Sequence, residues 1–270
     1  VTQPLLLEQL REFGIDISKG QINNILIEKH EEFHIEKDEI LSTGLEISSY
    51  INVDDTGARH KGENGVCTHI GNELFAWFES TESKSRINFL ELLRAGQSTY
   101  CINQDALDYM DTQKLSKSHQ ELLEKNEHKI FESKDEWEKH LECLEITDKR
   151  HKRIATEGAL IGSILENGFN RDIAIISDDA GQFNVLLHAL CWVHAERTIH
   201  KIETFNEEQR SALKLIRDKI WKLYADLKDY KVEPNIEKSI ELEKRFDEIF
   251  QEETSFITLN LALKRLYKNK

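Results

Sequence analysis

Apolar positions recur along the chain with two different periods, and the switches between them set out the elements. Leu5, Leu6, Leu7, Leu10 and Phe13 share roughly one helical face over residues 3 to 13. Gly14 suits a helix C-cap, and Ser18 is a good N-cap for a second helix holding Ile22, Ile25 and Leu26. Residues 1–45 therefore read as a helical segment, either a helix-turn-helix or a plain helical hairpin. From 46 to 54 the period drops to two: Ile47, Ser49, Ile51 and Val53 alternate with Tyr50, Asn52 and Asp54, which predicts a strand ending at Asp54. Strands near Val66–Ile70 and Leu74–Phe78 follow, joined by a tight turn at Gly71-Asn72. Ser83 then opens a helix with Ile87, Leu90 and Leu93 on one side, ending at Gly96, and a short strand is expected at Tyr100–Ile102.

Residues 105–168 read as mostly helical and polar. Their high charge predicts an exposed insertion outside the sheet. The apolar run Ile173–Ile176, closed by Ser177-Asp178, predicts a buried central strand. Ala189–Val193 reads as another strand, leading into a helix from Ala195, and Asn206–Lys270 is helical throughout. The chain is thus α/β: a three-strand meander, a helix, a helical insertion, two further strands and a helical extension over 201–270. A helix between the meander and the buried strand allows a parallel crossover onto the first strand. That is the layout of a ribonuclease-H-like mixed sheet, with residues 46–200 as its core. If those two strands are neighbours, Asp54 and Asp178 come together at one end of the sheet.

Composition narrows the class. No apolar run approaches the ~18 residues of a membrane span, and no signal peptide is visible. Cys67, Cys101, Cys143 and Cys191 are scattered, which argues against a disulfide framework and for a reducing cytoplasm. Thirty-six Lys and Arg against 50 Asp and Glu give a net charge of −14, which by itself opposes nucleic-acid binding. The acid is concentrated between Glu121 and Glu145, however. Lys149, Arg150, Lys152 and Arg153 form one basic group and Lys264, Arg265, Lys268 and Lys270 another, so a local basic face remains open.

Two neighbouring carboxylates repel, and a hard divalent cation relieves the repulsion. Asp54 and Asp178 at strand ends are thus candidate ligands for Mg²⁺ or Mn²⁺, and two such ions together can drive phosphoryl transfer. Two ordinary solvated aspartates would leave the same trace. Asp55 and Asp179 are the alternatives if the register slips, since adjacent strand residues face opposite ways. Asp105 is a weaker rival for the second ligand. Cys191 and His194 suggest zinc, but a closed site needs two more ligands, and only His188 and His200 lie near. A supporting role fits better: Cys191 buried, His194 at the catalytic end of the sheet, and Trp192 in the core. Arg59, His60, Lys84, Arg86 and Arg197 are candidate DNA contacts.

Asp54-Asp55-Thr56-Gly57 and Ser177-Asp178-Asp179-Ala180-Gly181 resemble the first two acidic motifs of DDE transposases of the insertion-sequence 66 type. Cys191-Trp192-Val193-His194-Ala195-Glu196-Arg197 resembles the Cys-Trp-Ala-His-Ala-Arg-Arg block that follows the second Asp there. The resemblance covers about residues 46–200. It implies a bacterial, cytoplasmic and nucleoid-associated transposase, with Asp54 and Asp178 holding two metal ions. The reaction would be cleavage of DNA at transposon ends and strand transfer into target DNA, carried out by a homo-oligomer. The family pattern also requires a third acid on a later helix. No convincing match precedes Lys270, so that acid is expected beyond residue 270, with the chain alone inactive and the helices after Asn206 lacking their packing partner. Glu196, read as a surface residue standing where the family often has Arg, is the weak candidate within the chain. A ribonuclease-H-like nuclease or resolvase, and an inactive DNA-binding fragment derived from a transposase, are the competing readings.

Overall fold

The computed structural model describes every residue except Val1, Lys61, Glu127 and His128, and for His60 it describes the backbone only. The fold is mixed α/β. Among the described residues a five-stranded sheet has the order β3-β2-β1-β6-β7, and a separate two-stranded sheet pairs β4 with β5. The strands are β1 (Tyr50–His60), β2 (Glu63–Gly71), β3 (Ala76–Thr81), β4 (Tyr100–Ile102), β5 (Lys129–Phe131), β6 (Ala174–Ser177) and β7 (His188–Leu190). β2 and β3 are antiparallel, whereas β1, β6 and β7 run parallel. The chain divides into two compact units: residues up to Ser49 with Thr56–Asn170, and Tyr50–Asp55 with Arg171–Lys270.

The first unit opens with α1 (Gln3–Glu12), α2 (Lys19–Ile27) and α3 (Glu31–Ile47). The expected caps are present. Gly14 takes a positive φ of 79°, which an L side chain resists, and Ser18 forms a capping box with Gln21. Helix α3 runs through Glu46 and Ile47, so β1 begins four residues later than the alternation predicts, and Ile47 is exposed; the strand also runs on to His60, which puts Asp54 inside it and not at its end. The hairpin turn extends over Asn72–Phe75, closed by the Asn72 amide donating to the Phe75 carbonyl at 2.9 Å. Helix α4 (Arg86–Leu93) is capped by Ser85 rather than Ser83.

The stretch 105–168 departs most from its reading. It does stay out of the five-stranded sheet, as α5 (Gln104–Thr112), α6 (Lys117–Glu124), β5, α7 (Lys134–Cys143) and α8 (Lys149–Glu166). It is not a solvated appendage, however. From Ile154 to Ile164 every residue of α8 except Thr156 is buried, and α8 packs on α4, α5 and β4. Trp137, Leu141 and Ile146 complete that core. Small residues permit the close approach: a Cβ at Gly162 would lie 2.4 Å from the Cys101 carbonyl oxygen.

In the second unit, β7 stops at Leu190 and α9 (Trp192–His200) begins at once, so Trp192 and Val193 are helical rather than extended. Helices α10 (Glu207–Val232), α11 (Ile236–Phe250) and α12 (Ile257–Tyr267) do not lack a partner. Ile216, Ile220, Leu223, Leu242, Phe250, Leu259 and Leu263 bury a common core with Ile199 of α9, and Trp192 packs against it. Among the described residues no helix is long and apolar enough to cross a membrane.

Candidate metal and phosphate site

The candidate site lies within the second unit. The β1/β6 register pairs Tyr50 with Ala174, Ile51 with Ile175 and Asn52 with Ile176. Continued two residues beyond Asn52 and Ile176, the same register sets Asp54, inside β1, level with Asp178, the residue that follows β6. Neighbouring strands are ~4.8 Å apart, and residues in register share a face. Ile51 and Val53 fill the buried face and Asn52 and Asp54 the opposite, exposed one. Asp178 is half-buried.

The hydrogen bonds of the two doublets are similar. One oxygen of Asp54, Oδ1, accepts from the Asp55 amide at 2.8 Å. Asp178 Oδ1 accepts from the Ala180 amide at 3.1 Å. The second acid of each doublet is engaged by a side chain. Gln182 Nε2 donates to Asp55 Oδ2 at 2.9 Å, and the Arg265 guanidinium pairs with Asp179 Oδ2 at 2.7 Å. The ten residues between β6 and β7 form no helix, and buried Phe183 and Val185 anchor them instead. Beneath this loop Ser177 Oγ is 2.8 Å from His188 Nε2, which ties β6 to β7. Burial holds His188 below the usual imidazole range, against the opposing pull of the Asp179 and Asp178 carboxylates.

A cleft of about 390 Å³ opens beside Asp178, walled by Cys191, His194, Arg197 and Lys201 from α9 and by Arg265, Leu266 and Asn269 at the end of α12. Cys191 is half-buried and faces this cleft, not the core, because it is the N-cap residue of α9. His194 has a buried Nδ1 without a hydrogen-bond partner. Lys201 was not singled out from the sequence, and Arg265 only as one of a basic group with Lys264, Lys268 and Lys270. Their only signal there was positive charge, which most surface helices carry.

The remaining candidates scatter. Glu196 points away from the surface: it is 6% exposed and ion-paired to Arg217 of α10, one helical turn beyond Trp192 on the core-facing side of α9. Arg86 is held by Glu157 and Tyr109 in the first unit, which occupies the guanidinium expected to contact DNA. Asp105 lies in the first turn of α5 and belongs to the first unit. Arg59 and Lys84 are exposed, and the His60 side chain falls outside the described residues. Among the described residues no cluster of three or more His, Cys, Asp and Glu has metal-ligand geometry, so neither Cys191 and His194 nor the two aspartates form a closed site.

Fold and site together define a mixed α/β protein with one aspartate doublet inside β1, another directly after its parallel neighbour β6, and a basic cleft beside the second. The chain is 37% identical over 233 residues to the uncharacterized protein y4jO of Sinorhizobium fredii, an alignment covering 86% of this chain and 73% of that protein, and it belongs to the same family. No family model matches the chain, and no solved structure matches it.

Proposed function

We propose that the chain is the ribonuclease-H-like core of a DDE-type DNA transposase, acting on transposon ends and target DNA by metal-dependent phosphoryl transfer. The observation that carries this reading is the parallel β1/β6 register, which sets Asp54 level with Asp178. The sheet order, a meander extended by parallel strands beyond β1, is the one the reading calls for. The Cys191–His194 block on a helix that lines the Asp178 cleft supports it further.

The donor set suits a hard cation. Mg²⁺ is commonly held by one or two carboxylates, its remaining positions filled by water and substrate phosphate. Asp54 and Asp178 would hold it, each with one oxygen fixed by a backbone amide. When bound, a divalent ion supplies Lewis acidity to a phosphodiester and lowers the pKa of water. Arg197 and Lys201 offset phosphate charge from the adjacent helix. Hydrolysis at a transposon end would free a 3′ hydroxyl, whose oxygen, losing its proton, would then attack a target phosphodiester and displace the target strand's own 3′ oxygen, which leaves as a new 3′ hydroxyl. The setting is a bacterial cytoplasm, with homo-oligomers pairing two ends.

One observation favours a second reading, an inactive DNA-binding protein of the same descent: among the described residues no three or more His, Cys, Asp and Glu side chains are grouped so that they could hold a metal ion. A cleavage assay separates the two, using Mg²⁺ or Mn²⁺ and DNA carrying the sequences that flank the gene. The transposase reading expects cleavage that Asp54→Ala and Asp178→Ala each abolish while DNA binding and thermal midpoint hold. Cleavage retained by either variant defeats the assignment. Products that stop at hydrolysis, without strand transfer, indicate a nuclease or resolvase.

A further inference from the structure

Arg265 is the basic residue whose surroundings the phosphoryl-transfer reading leaves unexplained. It sits in the last turn of α12, walls the Asp178 cleft, and spends its guanidinium on Asp179, the residue next to the proposed ligand. Both partners are largely exposed, Arg265 at 67% and Asp179 at 57% of the side chain. An exposed pair gains little from its Coulomb attraction and is a weak restraint. The Arg265 side chain is therefore easily released, and its planar fork suits a phosphodiester better than a single carboxylate oxygen. Arg197 and Lys201 line the same cleft, so three cations converge there in a chain of net charge −14. The buried Nδ1 of His194 adds a polar atom still without a partner.

We propose that Arg265 is a DNA-phosphate-binding residue held in reserve by Asp179, exchanging that carboxylate for a backbone phosphate when DNA enters the cleft. Asp179 then acts as an internal mimic of the substrate's charge. It occupies the cation in the free protein and makes binding depend on a group that can displace it. The inference rests on the proposed action on DNA and adds to it a named contact and the competitor for that contact.

The test measures binding without cleavage. The full chain is titrated against a short fluorescein-labelled DNA duplex in EDTA, with anisotropy followed as a function of potassium chloride. Arg265→Gln is expected to weaken binding and to reduce the slope of log K against log salt by about one, the signature of one lost phosphate contact. Asp179→Asn is expected to tighten binding by about two- to five-fold, the strength of an exposed pair. In the Arg265→Gln background the Asp179→Asn gain should fall away, because the carboxylate then has no cation to withhold. Lys264→Gln removes the same charge from the neighbouring residue, which pairs with Glu253 and does not line the cleft, and should leave the slope nearly unchanged. If Arg265→Gln keeps the wild-type slope, or Lys264→Gln lowers it as much, the proposal is overturned while DNA binding stands. If the wild-type chain binds no duplex even at low salt, the DNA reading itself fails and takes this proposal with it.

Discussion

Removing Glu157 tests whether Arg86 is a structural ion or a DNA contact. Glu157 is 2% exposed within the core built on α8. Its Oε2 accepts from the Tyr109 hydroxyl at 2.6 Å and lies 3.6 Å from Arg86 Nη1, which also donates to the Tyr109 oxygen at 3.0 Å. Glu157→Ala takes a counter-charge from a mostly buried guanidinium and an acceptor from a buried phenol. Losing one partner of a buried pair costs about 3–5 kcal/mol. The Arg86 side chain keeps 18% exposure, which places the expected cost near the lower end, about 3 kcal/mol. With a guanidinium m-value of a few kcal/mol per molar, the unfolding midpoint should drop by roughly 1 M. Replacing both ions, as Arg86→Met with Glu157→Leu, should return the stability to within about 1 kcal/mol of wild type, since well-packed apolar residues commonly match a buried pair. That double variant is also the decisive one for function, because it lacks the arginine while keeping the fold. DNA binding should be undiminished. A Glu157→Ala loss below about 1 kcal/mol would refute the energetic argument, and weaker DNA binding by a well-folded double variant would return Arg86 to the DNA surface.

Two further predictions follow from the geometry. Burial pushes the Tyr100 hydroxyl from 10 up to about 12, and burial, helped by Glu166, pushes the Cys101 thiol from 9 up to about 11. Both folded values exceed the unfolded ones, so their contribution is complete below pH 9 and is lost as pH rises through 12. Denaturation midpoints should fall across that window, and less so in Tyr100→Phe; an unchanged midpoint would contradict it. Glu196→Gln should cost about 1–3 kcal/mol of stability through its broken pair with Arg217, yet leave any cleavage rate intact well below the melting temperature. Loss of cleavage at unchanged stability would instead make Glu196 the third acid.

Period-two alternation was enough to find β1, and an apolar run bounded by Ser177-Asp178 was enough to find β6, because both strands owe their burial to their own side chains. The caps at Gly14 and Ser18 were legible for the same local reason. The role of α8 was not. Its buried face relies on Ala155, Gly158, Ala159 and Gly162, which bring the backbone close to β4 and α5 but register weakly in a hydrophobic pattern, and the acidic stretch before it suggests a solvated surface. The burial of Glu196 and Arg86 was not legible, because a charged residue declares its environment only through its partner, and Arg217 and Glu157 lie far away in sequence. Both bounds of β1 were misplaced for a different reason: Glu46 to Ser49 alternates acceptably as a strand while the preceding helix has not yet ended, and past Asp54 the apolar alternation stops although the strand continues to His60.

The acids around the cleft are already divided among partners, and the division bears on how an acidic protein could meet DNA. Asp55 is tied to Gln182, Asp179 to Arg265, and Glu196 to Arg217 on the far side of α9. Asp54 and Asp178 are the pair that the β1/β6 register sets level, and a backbone amide fixes one oxygen of each without neutralising its charge. Such a pair repels a phosphodiester as strongly as it attracts a cation, so on the DNA reading metal and phosphate must arrive together or the cleft must supply positive charge of its own. Arg197, Lys201 and Arg265 supply it from one side, against a chain-wide balance of −14 that discourages binding anywhere else. Selectivity for the cleft would then come from repulsion over most of the surface as much as from attraction at one place. Added salt should weaken both, and weaken the local attraction less where the cations are partly enclosed.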